Sequence, residues 1–271
     1  MNYITVSEMI GTGGEKVARK LAKDLNYDFI GDEELMAAAS TMGFLAEVVK
    51  LEEKPISFFD KFFSEKPKIY LDKFQAVIYE MAKKGDAVFF GGGAQFLLQS
   101  FECAFHVLII GSMEKRINRI MEEKKVGKEV AERIIARSDN VKKSFARFAY
   151  DEDWLNWRLY DLVVNTDKLN IEAATKIIVE GAMADEIKAC GLDSIRILEN
   201  LSLKRRVEAA LIEAGLMSSH IFFNVEDNND LRISGVVYSA EDKMRIEKII
   251  KKIGGINYIK NELIVYPSSV T

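Results

Sequence analysis

The apolar positions change period several times along the chain, and each change marks an element. Tyr3-Ile4-Thr5-Val6 is a short run rich in β-branched residues and predicts a strand. From Lys16 to Leu25 the residues Val17, Ala18, Leu21, Ala22 and Leu25 fall at helical spacing. Phe29-Ile30 predicts a second short strand ending at Gly31-Asp32, followed by a helix from about Glu33 to Lys50. The aromatic stretch from Pro55 to Phe63 reads as a loop or short helix, and a helix from Tyr70 to Lys84 ends at Gly85, a residue suited to a left-handed cap. Further strands are predicted at Ala87–Phe90, Phe105–Ile110 and Leu162–Asn165, with helices from about Met113 and over Ile171–Ile187. Short apolar strands alternating with helices predict an α/β fold, a parallel sheet with helices on both faces.

Beyond Leu201 that alternation stops. A helix over Leu203–Ala214 precedes two strands, Ile221–Val225 and Leu231–Val237, joined as a hairpin by the polar turn Asp227 to Asp230. A helix over Ala240–Ile253 and a strand over Tyr258–Val265 complete an αββαβ unit of about 70 residues, near the lower end of self-sufficient size. The expected organisation is therefore two domains, 1–190 and 198–267.

Composition narrows the class without naming a chemistry. Hydrophobic residues make up 48% and charged residues 30%, as in ordinary globular chains. There is no run of about 18 apolar residues, so no transmembrane helix is expected. The first residues lack a basic segment before an apolar core and do not read as a signal peptide. Cys103 and Cys190 have no recognisable spacing; they read as two lone thiols in a reducing, cytoplasmic setting, with no metal site. A net charge of −4 argues against a general nucleic-acid binder. The charge is uneven: between Glu114 and Arg147 eleven Lys and Arg face six acids. Such a stretch is either a solvated helical face or a seat for a small polyanion.

The candidate chemistry lies where the first strand turns into the first helix. Gly11-Thr12-Gly13-Gly14 lets backbone N–H groups approach an anion closely, and the helix N-terminus adds a favourable partial charge. Glycine-rich turns also occur simply to pack a helix on a strand. Ile4-Thr5-Val6-Ser7, then this loop, then Val17-Ala18 and Leu21-Ala22, resembles the opening of the cytidylate kinase-like family. The resemblance continues in order through Val88 to Ala94, through Phe105-His106-Val107 with Glu114 to Ile120, through Asp139, Lys142 and Lys143, and through Tyr160 to Thr166. It covers about residues 1–185.

That resemblance implies phosphoryl transfer from ATP, with Mg2+, to CMP or a similar monophosphate, by positioning and neutralisation of phosphate oxygens. It implies donor-phosphate contacts from Gly11, Thr12, Gly13, Gly14, Glu15 and Lys16. Arg116 and Arg119, three apart and so on one helical face, would reach the phosphates with Lys142 as the catalytic cations, while Lys143 and Arg147 close over them. The other reading of Arg116 and Arg119 is an exposed face paired with Glu122 and Glu123. Asp32, Gly91, Gly92 and Asp139 fall where the family holds the acceptor; for Asp32 and Glu33 the exposed start of a helix is the equal alternative. The chain departs from the pattern at Glu8, where the family has Arg, at Glu15, and at Gly92, where the family again has Arg. Against a full Walker A motif, Glu8 stands at the first glycine, Gly14 at the lysine and Glu15 at the hydroxyl. Losing one such donor to transition-state charge costs on the order of 3 kcal/mol, so the alternatives to an active kinase are a nucleotide-binding regulator without turnover or an interaction protein that acts through its C-terminal unit.

His106 reads as a packed or edge histidine, and His220 carries no role. Trp154, Trp157, Tyr150 and Tyr160 read as an aromatic cluster in the core or at a domain contact. In the C-terminal unit, Val207 to Leu211, Leu231 to Val237 and Gly255 to Leu263 resemble the BON domain. This implies an interaction module with a protein or phospholipid partner, and Gly235 reads as allowing a turn or a close helix approach.

Overall fold

The structure is a computed structural model in which residues 1–44, 67–187, 189–226 and 229–266 are described. Strands β1 (Tyr3–Glu8), β2 (Asp28–Ile30), β3 (Ala87–Phe90), β4 (Ala104–Ile110) and β5 (Leu162–Asn165) form one sheet in the order β2-β3-β1-β4-β5. Every pairing in it is parallel. The loops that follow the strands therefore open at one edge, the usual place for a ligand in such sheets. The β1 strand, flanked on both sides, is buried from Tyr3 to Ser7, as a central parallel strand is when both faces of the sheet are covered.

Alternate residues of the strands feed two cores. Ile4, Val6, Val88, Val107 and Ile109 pack with α1 (Gly14–Leu25) and, through Ala174 and Ile178, with the later helix Ile171–Ala182. Tyr3, Ala87 and Phe89 face the opposite way. There they meet Leu35 of α2 (Asp32–Thr41) and Phe74, Val77 and Ile78 of α3 (Pro67–Ala82). Among the described residues the remaining α-helices of this unit are α4 (Ala94–Leu97), α5 (Met113–Lys124), α6 (Lys128–Tyr150) and α7, the Ile171–Ala182 helix already met. The far part of the helix expected over 33–50 and the Pro55 to Phe63 stretch lie outside the described residues.

The second sheet has the order β6-β7-β8, from Ile221–Val225, Leu231–Val237 and Ile259–Val265, with α9 (Ala240–Ile250) between the last two. The β6–β7 pair is antiparallel and the β7–β8 pair parallel. Gly235 serves a different contact from the one expected. At φ +123°, a Cβ there would lie 1.9 Å from the His220 carbonyl oxygen, so the close approach is between strands rather than to a helix. Part of the Asp227 to Asp230 turn lies outside the described residues.

Two expectations change. Helix α8 runs Leu192–Glu213 and so begins eleven residues before Leu203. Its Leu198 is buried in the core of the first unit, while Val207 and Leu211 are buried in that of the second. The cysteines are not lone thiols: Cys103 and Cys190 are bonded to each other, with Cα atoms 5.2 Å apart. The N-terminus brings them together. The Tyr3 N–H donates to Cys103 O at 2.9 Å, and the Cys190 N–H donates to Met1 O at 2.8 Å. At a sequence separation of 87, no local spacing could announce the pair. No helix among the described residues is long and apolar enough to cross a membrane.

Candidate functional site

The loop after β1 is shaped by two left-handed glycines, Gly11 at φ +85° and Gly13 at φ +83°, a conformation that side-chain-bearing residues rarely adopt. At Gly11 a Cβ would also lie 2.8 Å from the Arg116 carbonyl oxygen. Gly14 opens α1, and its N–H is one of the helix's orphan donors. Glu8, the last residue of β1, folds its side chain back to meet it. The Gly14 N–H donates to Glu8 Oε2 at 2.7 Å, and the Thr12 hydroxyl donates to the same oxygen at 3.1 Å. Lys142 of α6 donates to the Glu8 carbonyl oxygen and lies 5.3 Å from the centre of the Trp154 ring.

Burial sets the electrostatics of this pair. It raises the Glu8 carboxyl above the ordinary carboxylate range, opposed by Lys142 and by the bonds from Gly14 and Thr12. It lowers Lys142, opposed mainly by Glu8 and Asp139 and reinforced by Arg116. The Asp32 carboxyl is likewise raised, first by desolvation and then by Glu15, with Lys142 opposing.

Arg116 and Arg119 brace the loop from α5. Arg116 is buried; its Nε donates to Ile10 O at 2.8 Å, and its Nη2 donates to both carboxylate oxygens of Asp139 at 2.8 and 2.9 Å. Arg119 donates to Thr12 O at 2.9 Å, to Thr166 Oγ1 at 3.0 Å and to Thr166 O at 2.7 Å. The two arginines thus hold the loop by its carbonyls, while the Thr12 N–H donates within the loop to Met9 O at 3.2 Å. The pairing of these arginines with Glu122 and Glu123 that the sequence allowed is not what the structure places; Glu123 pairs with Lys16 instead.

Two cavities border the β1–α1 turn, one at Ile10 and the other at Thr12 and Gly13. The first, about 410 Å³, lies under α6 and is bounded by Ser7, Glu8, Asp32, Gly91 to Gly93, Arg137 and Lys142, with Phe90, Phe96 and Trp154 as apolar walls. The second, about 550 Å³, is bounded by Thr12, Gly13, Lys16, Arg119, Thr166 and Asn170. Of the residues singled out in the sequence, these two cavities therefore gather Thr12, Gly13, Lys16, Asp32, Gly91, Gly92, Arg119 and Lys142. Asp139 and Arg116 bind each other beside them. Glu15 pairs with Arg19 on the exposed side of α1, Lys143 is exposed, and Arg147 pairs with Asp151; none of the three lines either cavity.

At Gly92 the missing arginine has a structural reason. Gly91, Gly92 and Gly93 are all left-handed, and a Cβ at Gly92 would lie 3.1 Å from the Phe74 ring. His106 is packed in the sheet, its Nδ1 2.7 Å from the Thr5 hydroxyl, and desolvation lowers its pKa, with Asp161 opposing. The aromatic cluster divides: Trp154 and Tyr160 are buried together, Tyr150 stacks on Phe96 at 4.3 Å, and Trp157 stands apart at 66% exposure. Arg137 and Trp154 were not among the site residues read from the sequence. Ile134, Ser138, Val141, Lys142 and Phe145 share one face of α6 with Arg137, a helical spacing that could have found it.

Among the described residues no group of three or more His, Cys, Asp or Glu is gathered to hold a metal.

Residues 3–168 match the cytidylate kinase-like family. The chain belongs to the cytidylate kinase-like family. Within the curated proteins it is similar to a cytidylate kinase from Methanocaldococcus jannaschii, 25% identical over 181 residues that span 65% of this chain and 94% of that one. Of the solved structures, it is similar to an uncharacterized protein from Eubacterium ventriosum, with a TM-score of 0.54 and 20% identity over 67% of this chain and 98% of that one. A shikimate kinase from Bacteroides thetaiotaomicron aligns over 68% of this chain and 99% of its own, with a TM-score of 0.44 and 14% identity. The cytidylate kinase-like match ends before α7, so it leaves the second sheet unassigned.

Proposed function

We propose that this chain binds a nucleoside triphosphate and a nucleoside monophosphate in the two cavities that flank the glycine loop, and acts as a nucleoside monophosphate kinase with CMP or a similar acceptor. The observation that carries this reading is the arrangement itself: two separate cavities, each bounded by residues of the same β1–α1 turn. A transfer between two bound nucleotides needs two seats meeting at the phosphates, and catalysis of this kind is mostly positioning and charge neutralisation. Arg119 and Thr166 would fix the donor side of the loop, Lys142 would neutralise phosphate oxygens from above, and Asp32 with Gly91 to Gly93 would shape the acceptor seat. Phe96 and Trp154 would exclude water there.

Calorimetric titration with ATP and with CMP, with and without Mg2+, tests the binding. Formation of ADP across a panel of monophosphates tests the transfer. Absence of any saturable nucleotide binding would end the reading. One observation favours a second reading, a nucleotide-binding regulator without turnover: the Gly14 amide is already engaged by Glu8. Binding without ADP formation at high protein concentration would select it. For the C-terminal unit we carry the BON-type interaction module as a proposal, supported by its order of helix, two strands, helix and strand. Failure of the full chain to sediment with phospholipid vesicles, or to retain a protein partner, would count against it.

A further inference from the structure

Glu8 has three relations to the glycine loop that an incidental surface acid would lack. Its Oε2 accepts from both the Gly14 N–H at 2.7 Å and the Thr12 hydroxyl at 3.1 Å. Its backbone carbonyl accepts from Lys142, the cation that overhangs the first cavity. The residue opposite is shaped to admit it: a Cβ on Gly14 would lie 2.6 Å from Glu8 Cβ and 2.8 Å from Oε2. A helix-start amide, a hydroxyl and a nearby ammonium are the donors that a phosphate oxygen would use in such a loop. Here the carboxyl group of Glu8 has taken the amide and the hydroxyl, and the backbone carbonyl of the same residue has taken the ammonium.

We infer that the Glu8 carboxyl group sits in the anion seat of the glycine loop as an internal competitor, so that a nucleotide's phosphates bind only when it is displaced. This rests on the proposed nucleotide reading of the two cavities and adds to it the residue that sets affinity. The apparent affinity of a ligand is its intrinsic affinity scaled by the fraction of molecules whose seat is open. A hydrogen bond to a charged group is strong enough to keep that fraction near a tenth to a hundredth. Removing the competitor should therefore tighten phosphate binding about ten- to a hundredfold.

The test uses the full chain, as wild type, Glu8→Ala and Glu8→Gln, titrated calorimetrically with ATP and with inorganic pyrophosphate. Thermal unfolding is measured with and without pyrophosphate. The expected result is tighter binding of both ligands by Glu8→Ala, in the range above, with a smaller gain for Glu8→Gln, which keeps an oxygen for the Gly14 N–H. Glu8→Ala should also lose melting temperature when free and regain it with pyrophosphate, because an anion refills the seat. A Glu8 that merely capped α1 would give the loss without the recovery. If wild type binds ATP and the variants bind it equally or more weakly, the inference is overturned and the nucleotide reading stands. If neither wild type nor variants bind ATP or pyrophosphate, both fall. Should Glu8→Ala fail to fold, Glu8→Gln alone decides, unchanged or weakened binding overturning the inference.

Discussion

Asp72 is a buried carboxyl at the contact between α3 and α8, its side chain 3% exposed. Arg205 donates to its Oδ1 at 3.3 Å and to Glu208 at 2.7 Å, while Asp72 Oδ2 has no hydrogen-bond partner. Desolvation, seconded by Glu208, pushes its pKa from 3.8 up to about 6 against the pull of Arg205 and Lys68. A carboxyl raised on folding favours the folded state while protonated. That contribution is fully present below pH 3.8 and is lost as pH rises through about 6. About two pKa units correspond to about 3 kcal/mol at neutral pH, an upper figure because local relaxation reduces it. Asp72→Asn keeps an acceptor for Arg205 and removes the charge. It should therefore be more stable than wild type by about 1–3 kcal/mol at pH 7.5 and nearly equal to it at pH 3.8. The measurement is urea unfolding from pH 3.8 to 8, read as the difference between the two proteins so that other titrating groups cancel. A variant less stable at pH 7.5, or a difference that stays flat across pH 4 to 7, would refute the argument.

Three further outcomes follow from the geometry. Arg119→Ala removes the bonds to Thr12 O and to both oxygens of Thr166; it should cost about 1–3 kcal/mol and weaken ATP binding, and an unchanged melting temperature would contradict it. Gly92→Ala forces a side chain into φ +67° against the Phe74 ring, at about 1–3 kcal/mol; equal denaturant midpoints for the two proteins would show that the strand end relaxes instead. Alkylation of the unfolded, unreduced chain should leave both Cys103 and Cys190 unlabelled, and labelling of both by mass would rule out the bond.

Much of the architecture was legible because burial imposes a period. The five strands of the large sheet were each readable as short apolar runs, and the hairpin and last strand likewise. The long helix α8 was not, and the reason is physical. Its first half buries Leu198 against one core and its second half buries Val207 and Leu211 against another. No single apolar stripe runs its length, so a reading that follows one face finds only the second half. The site was legible as a place rather than as a set of contacts. Arg116 and Arg119 fall beside the loop as the sequence placed them, yet they bond its carbonyls and Asp139. A carbonyl oxygen and a phosphate oxygen are both acceptors to a guanidinium, and spacing cannot tell them apart. Gly92 shows the converse: where the sequence reads as having lost an arginine, the backbone stands in a left-handed conformation that disfavours any side chain.

Glu8 is where the two levels meet. Arg119 holds the loop at the Thr12 carbonyl, and the Gly14 amide at the start of α1 has no acceptor within the helix, so a chain without ligand must supply that amide with an acceptor or leave it unsatisfied at about 1–3 kcal/mol. An acid at the end of β1 supplies it, and Gly14 has no side chain to obstruct the contact. The same burial that brings the carboxyl to the amide also raises its pKa, which means its charge loses hydration in that position. Displacement by a phosphate therefore returns hydration to the carboxyl while the incoming oxygen takes over its donors. The net resistance is the difference between these terms, and the about ten- to a hundredfold gain expected on removing Glu8 is its measure. An acid in this position makes the seat exchangeable rather than closed, and the affinity of the loop then depends on how well a ligand competes with one carboxyl group for one amide and one hydroxyl.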